Sequence, residues 1–236
     1  PEHDISILTG LLAGRTLAGS AEVVHLYWAK NGSWFRVPSG LEARDFIDWP
    51  VRDATAVALE IPGGFELRGR VRRQPLEIDV VMNCCHGGPG EDGALSSMLR
   101  LAGLRVTGPT PESSALAMDK YATAALANAA GIPCIPGSLS TSPIPFEPPW
   151  VVKPRFGGSS LGVESGVADL NTVAVLARRG VARAGCLVQP ELEGWIDLNI
   201  AVQTWPEVRL SAIERPIRGD AAILDYQTKY LRGRDG

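Results

Sequence analysis

The alternation of apolar and polar positions divides this 236-residue chain into segments of two periodicities. Directly after Pro1-Glu2-His3-Asp4, the residues Ile5, Leu8, Leu11 and Leu12 recur at helical spacing and predict a helix. No initiating methionine and no strand stand before it, so the chain is expected to begin just after a first β-strand and its loop. The apolar runs Val23–Trp28 and Trp34–Val37 read as strands on either side of Lys30-Asn31-Gly32-Ser33. Asn-Gly between two such runs predicts a hairpin, because both turn residues tolerate positive φ. From about Pro38 to Pro75 the chain is rich in Pro, Gly and Arg and reads as irregular, after which Ile78–Asn83 reads as a buried strand.

A helix is predicted from Ala94 to Ala102, ended by Gly103, and a short strand over Leu104–Thr107. Strand–helix–strand order predicts a parallel α/β layer for the first hundred or so residues. One Ala-rich helix is predicted over Ser113–Ala130, stopped by Gly131-Ile132-Pro133. The remainder alternates again: strands at Trp150–Lys153 and Cys186–Gln189 flank a helix at Asp169–Arg179. Two further strands, Leu198–Gln203 and Val208–Ile213, join at a turn through Trp205-Pro206.

Composition changes this picture by exclusion. The hydrophobic share of 45% and charged share of 21% are those of a globular protein, and the length allows two compact units plus a fragment. A formal net charge of -3 gives no reason to expect nucleic acid or an anionic membrane as a partner. No apolar run reaches the roughly 20 residues that span a bilayer, and no signal-peptide pattern is present, so the cytoplasm is the expected location. Cys84, Cys85, Cys134 and Cys186 lack the spacing of a metal knuckle and read as free thiols.

Three stretches carry chemistry. In Lys153-Pro154-Arg155-Phe156-Gly157-Gly158-Ser159-Ser160-Leu161-Gly162 a strand delivers a lysine, and a loop of glycines and serines leads into another strand. Glycines let backbone N–H groups approach phosphate oxygens, hydroxyls add donors, and the lysine adds a fixed charge. The lysine precedes the glycines, so this is not a P-loop, and no G-x-G-x-x-G opens a helix. A plain surface turn is the competing reading. His86-Gly87-Gly88-Pro89-Gly90-Glu91-Asp92-Gly93 follows the Ile78–Asn83 segment, where open α/β sheets bind ligands. Its competing reading is a strand-to-helix loop with Asp92 as N-cap. Ser114-Ala115-Leu116-Ala117-Met118-Asp119-Lys120 places a lysine on a helix, ordinarily a solvated position.

In this order and at these separations, the three motifs resemble those of the D-alanine–D-alanine ligase family of the ATP-grasp superfamily. Asp225-Tyr226-Gln227-Thr228-Lys229-Tyr230 is similar to a terminal segment of that family, and Pro1–Ser6 to its start. The resemblance covers nearly the whole chain and is weakest from Pro38 to Pro75. It implies an α/β and α+β ATP-grasp fold with an N-terminal parallel α/β domain over residues 1–109. A central subdomain over 110–184 and the start of a C-terminal one over 185–236 would follow, with ATP between these last two.

The implied activity is ATP-dependent: a carboxylate is phosphorylated to an acyl phosphate, which the amine of a second amino acid attacks. Dipeptide formation from D-alanine for peptidoglycan is the leading reading. A related ligase for other amino acids is the alternative within the superfamily, and a non-catalytic nucleotide-binding remnant is the alternative outside it.

By resemblance, Glu2 holds the ammonium of the first amino acid, and His86 lies near its carboxylate. Ser159 orients substrate, and Tyr230 closes the site. Lys120 and Lys153 contact ATP phosphates beside Ser160, and Lys229 stands on the nucleotide side. Gln189 or Glu191 would meet adenine, Leu192 would form the apolar hinge, and Asp197 the ribose contact, with Glu193 as an alternative. Tyr230, where D-lactate-using relatives carry histidine, favours an amine as the second substrate. The arginine that steadies the acyl phosphate and the Mg²⁺ ligands are expected beyond Gly236, with no metal ligand among these residues. A homodimer is the family's usual state.

Overall fold

The computed structural model describes residues 2–69, 73–182 and 184–216. The chain divides into two compact units, Pro1–Met118 and Asp119–Gly236.

The first unit begins with helix α1 (His3–Leu17), as the spacing predicts. Its stripe is turned from the expected one, however: Leu8 and Leu12 are exposed, while Gly14 is buried. A Cβ on Gly14 would stand 2.2 Å from Cε1 of His25, so only glycine lets the helix approach the first strand so closely.

Strands β1 (His25–Trp28) and β2 (Trp34–Val37) form the expected antiparallel hairpin, with Trp28 opposite Trp34. The two indoles stack at 5.1 Å with 2° between their planes. Gly32 has the positive φ, 85°, but Asn31 does not, contrary to expectation. The Asn31 carboxamide oxygen instead accepts from the Ser33 N–H, fixing a longer loop.

The segment expected to be irregular instead supplies three of the five strands of the sheet. Strands β3 (Thr55–Glu60), β4 (Gly64–Arg68) and β5 (Arg73–Pro75) continue the hairpin as an antiparallel meander in the order β1-β2-β3-β4-β5. The alternation of Phe65-Glu66-Leu67-Arg68 is short and is flanked by Pro62, Gly63 and Gly64 and by arginines, so it reads as loop by composition. Conversely, Ile78–Asn83 is not a full strand. Its pairing is the single parallel bridge Val81↔Val106, with Val81 N–H donating to Arg105 O and Thr107 N–H to Val81 O. This segment borders a cavity of about 810 Å³, and Val80 and Met82 are exposed. Alongside the antiparallel meander, that bridge is the parallel pairing expected from strand–helix–strand order.

A short helix α2 (Gly88–Glu91) and then α3 (Ala94–Leu101) follow. Gly103 ends α3 with φ 86°, its N–H bonding Arg100 O while Leu104 N–H bonds Leu99 O, the Schellman pattern. Leu95 and Leu99 pack with Val57 and Phe65 as the core of this unit. Phe65 is 1% exposed. Phe65→Ala is expected to destabilise the protein by about 3–5 kcal/mol, read as a lowered urea midpoint.

The Ala-rich helix is two helices, α4 (Pro111–Met118) and α5 (Lys120–Ala129). The break falls on Asp119, which leaves helical geometry (φ -82°, ψ 100°) and accepts from the N–H groups of Tyr121 and Ala122. Aspartate competes with the helix for its own backbone donors, and here it wins as an N-cap.

In the second unit, β6 (Ser138–Leu139), β7 (Trp150–Pro154), β8 (Glu164–Val167) and β9 (Cys186–Pro190) make an antiparallel sheet in the order β6-β9-β7-β8. Helix α6 (Leu170–Leu176), capped by Asp169, buries Val173 and Leu176 with Trp150, Val152, Cys186 and Val188. It ends sooner than the Asp169–Arg179 segment predicts. The two late strands are β10 (Val202–Gln203) and β11 (Arg209–Leu210), shorter than expected but paired as a hairpin.

Candidate functional site

In the first unit, α1 presents Glu2, Ser6 and Thr9 at intervals of four and three, hence on one helix face. That face meets the His86–Glu91 loop. Ser6 Oγ donates to Glu2 O and accepts from the His86 N–H at 2.9 Å. The His86 Nε2 lies 2.9 Å from Thr9 Oγ1, and its Nδ1 lies 3.8 Å from Glu91 Oε1. Glu2 is 7% exposed. Its carboxylate rests against Gly87, where a Cβ would come within 1.6 Å of Oε2 and where φ is 68°. The structure thus brings together Glu2 and His86, the two residues assigned to this half of the chain.

In the second unit, burial alternates along β7: Trp150, Val152 and Pro154 face the α6 core, and Lys153 faces the other way. The register sets Lys153 opposite Leu187 and Val151 opposite Gln189, so Lys153 and Gln189 share one sheet face. Lys120 opens α5, and its Nζ donates to Gly157 O at 2.7 Å, reaching the glycine loop that follows β7. Burial pushes both ammonium groups below the usual lysine range, and for Lys120 the neighbouring charge of Lys153 adds to it. Two half-buried cations, one felt by the other, offer fixed positive charge to a polyanion.

The loop itself is shaped for close approach. Ser159 and Ser160 both adopt left-handed backbone, φ 51° and 56°. Non-glycine residues rarely do so, and such strain concentrates at ligand clamps. Asp119, missed by the sequence reading, accepts a two-pronged bond from Arg155: Nε to Oδ1 at 2.9 Å and Nη2 to Oδ2 at 2.5 Å. That guanidinium holds the Asp119 carboxyl below its usual range. The available signal was the Asp-Lys-Tyr step, which reads as an N-cap once the long helix is questioned.

The adenine-side candidates are dispersed. Gln189 is buried, and its Nε2 donates to Ile135 O at 3.1 Å. Glu191 Oε2 accepts from the Gly166 N–H at 2.6 Å, at the edge of β8. Leu192 is half-buried, while Glu193 and Asp197 are exposed. Lys229 and Tyr230 lie outside the described residues. Among the described residues, no group of three or more His, Cys, Asp or Glu is placed to hold a metal ion. No described helix is long and apolar enough to cross a membrane.

The sheet of the second unit, with its lysine pair and glycine–serine loop, defines the class: the fold is that of the ATP-grasp enzymes. Residues 1–109 match the family model described as D-ala D-ala ligase N-terminus. The D-alanine--D-alanine ligase of Campylobacter concisus is 28% identical over 239 residues, covering 98% of this chain and 66% of that protein. The Gluconobacter oxydans enzyme of the same name is 34% identical over 160 residues, 66% of this chain and 52% of its own length. A crystal structure of D-Alanine-D-Alanine Ligase from Helicobacter pylori superposes with a TM-score of 0.79 at 25% identity, covering all of this chain and 73% of that one. The VanG D-Ala:D-Ser ligase of Enterococcus faecalis shares the fold, with a TM-score of 0.72 at 22% identity over 91% of this chain and 66% of its own. Residues 1–109 belong to the D-alanine–D-alanine ligase family, and the chain is similar to its members along nearly its whole length. It spans about two thirds of the length of the curated relatives that match it end to end.

Proposed function

We propose that the protein containing this chain is an ATP-dependent ligase that joins two D-alanine molecules through an acyl phosphate, in the cytoplasm, for peptidoglycan synthesis. The observation that carries the reading is the pair of half-buried lysines, Lys120 and Lys153, beside a strained glycine–serine loop. Their charge neutralises the ATP phosphates as the γ-phosphoryl group passes to the carboxylate oxygen of the first amino acid. Fixed cations at transferring phosphate lower the barrier because they need no reorganisation during the step. Ser159 and Ser160 supply hydroxyl donors, and the loop excludes water that would hydrolyse the acyl phosphate. Glu2 holds the ammonium of the first amino acid, and His86, steadied by Thr9 and Ser6, stands at its carboxylate. The amine of the second molecule then attacks the acyl carbon, and inorganic phosphate leaves.

Among the adenine-side candidates, Glu191 and Asp197 keep carboxylates for amine and ribose, with Leu192 as the hinge between them. Gln189 is already engaged with Ile135, which favours a supporting role. Lys229 and Tyr230 complete the reading as a nucleotide contact and a closing residue. The assembly expected of the family is a homodimer.

A D-serine-using ligase is kept as the second reading because the VanG enzyme, named for D-serine, has this fold. The deciding experiment is phosphate release by the full-length gene product with ATP, Mg²⁺ and each of D-alanine, L-alanine, D-serine and D-lactate. D-alanine alone should support turnover to a dipeptide, and D-alanine plus D-serine yielding mainly the mixed product would select the second reading. Turnover with L-alanine but not D-alanine would overturn both.

A further inference from the structure

Beyond the lysines, one ion pair in the second unit has a geometry that bears on them. Asp119 and Lys120 are adjacent, so the carboxylate that caps α5 sits beside the lysine assigned to phosphate, and its charge acts on that lysine. Left alone, Asp119 would compete with a phosphate for the same ammonium. It is not left alone. Arg155, two residues after Lys153, grips both carboxylate oxygens, and its backbone carbonyl accepts from the Lys120 N–H at 3.1 Å. Its guanidinium also lies 5.9 Å from the Tyr121 ring centroid and 5.3 Å from that of Phe156. The fork therefore has fixed partners on two sides, an arrangement a lysine could not reproduce. With Asp119 so occupied, the Lys120 ammonium turns to Gly157 O on the glycine loop.

We propose that Arg155 is a positioning residue for nucleotide: it sequesters the Asp119 carboxylate so that Lys120 is held on the loop with its charge available to ATP phosphate. This rests on the nucleotide reading given above. The Phe156 ring then backs the guanidinium.

The test uses the full-length protein and four variants, Lys153→Met, Arg155→Gln, Arg155→Lys and the double variant Arg155→Gln/Asp119→Asn. ADP affinity by calorimetry and KM and kcat for ATP are measured for each. Asparagine keeps the helix cap while removing the charge. Arg155→Gln should raise KM for ATP and the ADP dissociation constant by about tenfold with kcat little changed, and Arg155→Lys should fall between it and wild type. The double variant should recover to within about threefold of wild type, because the competing carboxylate charge has gone with the arginine.

A brace that acts only by holding the fold together predicts the opposite, a double variant as poor as Arg155→Gln, and that result overturns the proposal. So does an Arg155→Gln protein with unchanged nucleotide affinity. If Arg155→Gln does not fold, the double variant decides: near wild type supports the proposal, and a loss of about tenfold or more overturns it. Wild-type protein that binds no ADP, or binds it equally well as Lys153→Met, would instead sink the nucleotide reading itself.

Discussion

Lys153→Met is expected to weaken ATP binding by about a hundredfold while leaving the protein at least as stable as before. The two halves of this result have one cause. Lys153 is held on β7 in fixed register with Leu187, half-buried, and its ammonium is disfavoured by the loss of water around it. Methionine keeps the aliphatic stem and removes the charge that burial penalises, so folding should not suffer. Nucleotide binding should suffer, because the cation that offsets phosphate charge in a poorly solvated place has gone.

The same depression fixes a pH dependence. A lysine pushed below its ordinary range loses its proton earlier as pH rises, and a neutral amine cannot attract phosphate. ATP affinity should therefore fall on the alkaline side, beginning below the pH at which an exposed lysine titrates. Binding in that range should take up protons, because phosphate draws the lysines back to the charged form. Calorimetry in two buffers of different ionisation enthalpy reads the uptake directly. In Lys153→Met the uptake should shrink and move to higher pH, since Lys120 is relieved of its neighbour's charge.

Gly87→Ala is expected to raise KM for the first amino acid by about 30- to 100-fold with ATP affinity unchanged. Gly87 has φ 68° and ψ 169°, a region kept almost wholly for glycine that costs an L-residue about 1–3 kcal/mol, and a Cβ there would overlap the Glu2 carboxylate at 1.6 Å. The Glu2 side chain can swing aside more cheaply than the backbone can move. The change should therefore act on the position of the carboxylate more than on the fold. Steady-state kinetics with varied D-alanine at saturating ATP give the answer. A folded Gly87→Ala protein with an unaltered KM for D-alanine would remove Glu2 from its assigned role.

Much of the site was legible because each motif is contiguous. Lys153 through Gly162 and His86 through Gly93 each admit a plain loop reading, and it is their order along the chain that carries the resemblance. Leu104 and Gly103 likewise close α3 through local hydrogen bonds that any chain with that sequence can make. The failures share a different physics. Strands β3 to β5 were missed because Pro, Gly and Arg punctuate their short runs and their stability comes from neighbours at the right register. Ile78–Asn83 looked like a strand, yet pairing needs a partner, and only Val81 finds one among the described residues. The long helix broke at Asp119 because Arg155, 36 positions away, rewards the capping conformation.

What the sequence alone determined was the inventory: where the lysines, serines and glycines stand along the chain, and which family their order resembles. Those properties are written in residue type and spacing, and no fold is needed to read them. Only the tertiary structure decided which groups act on one another. It set Lys120 against the glycine loop, Lys153 on the face opposite the α6 core, Glu2 against Gly87, and Asp119 in the grip of Arg155. Those relations depend on register, helix breaks and burial, which arise from contacts between distant parts of the chain.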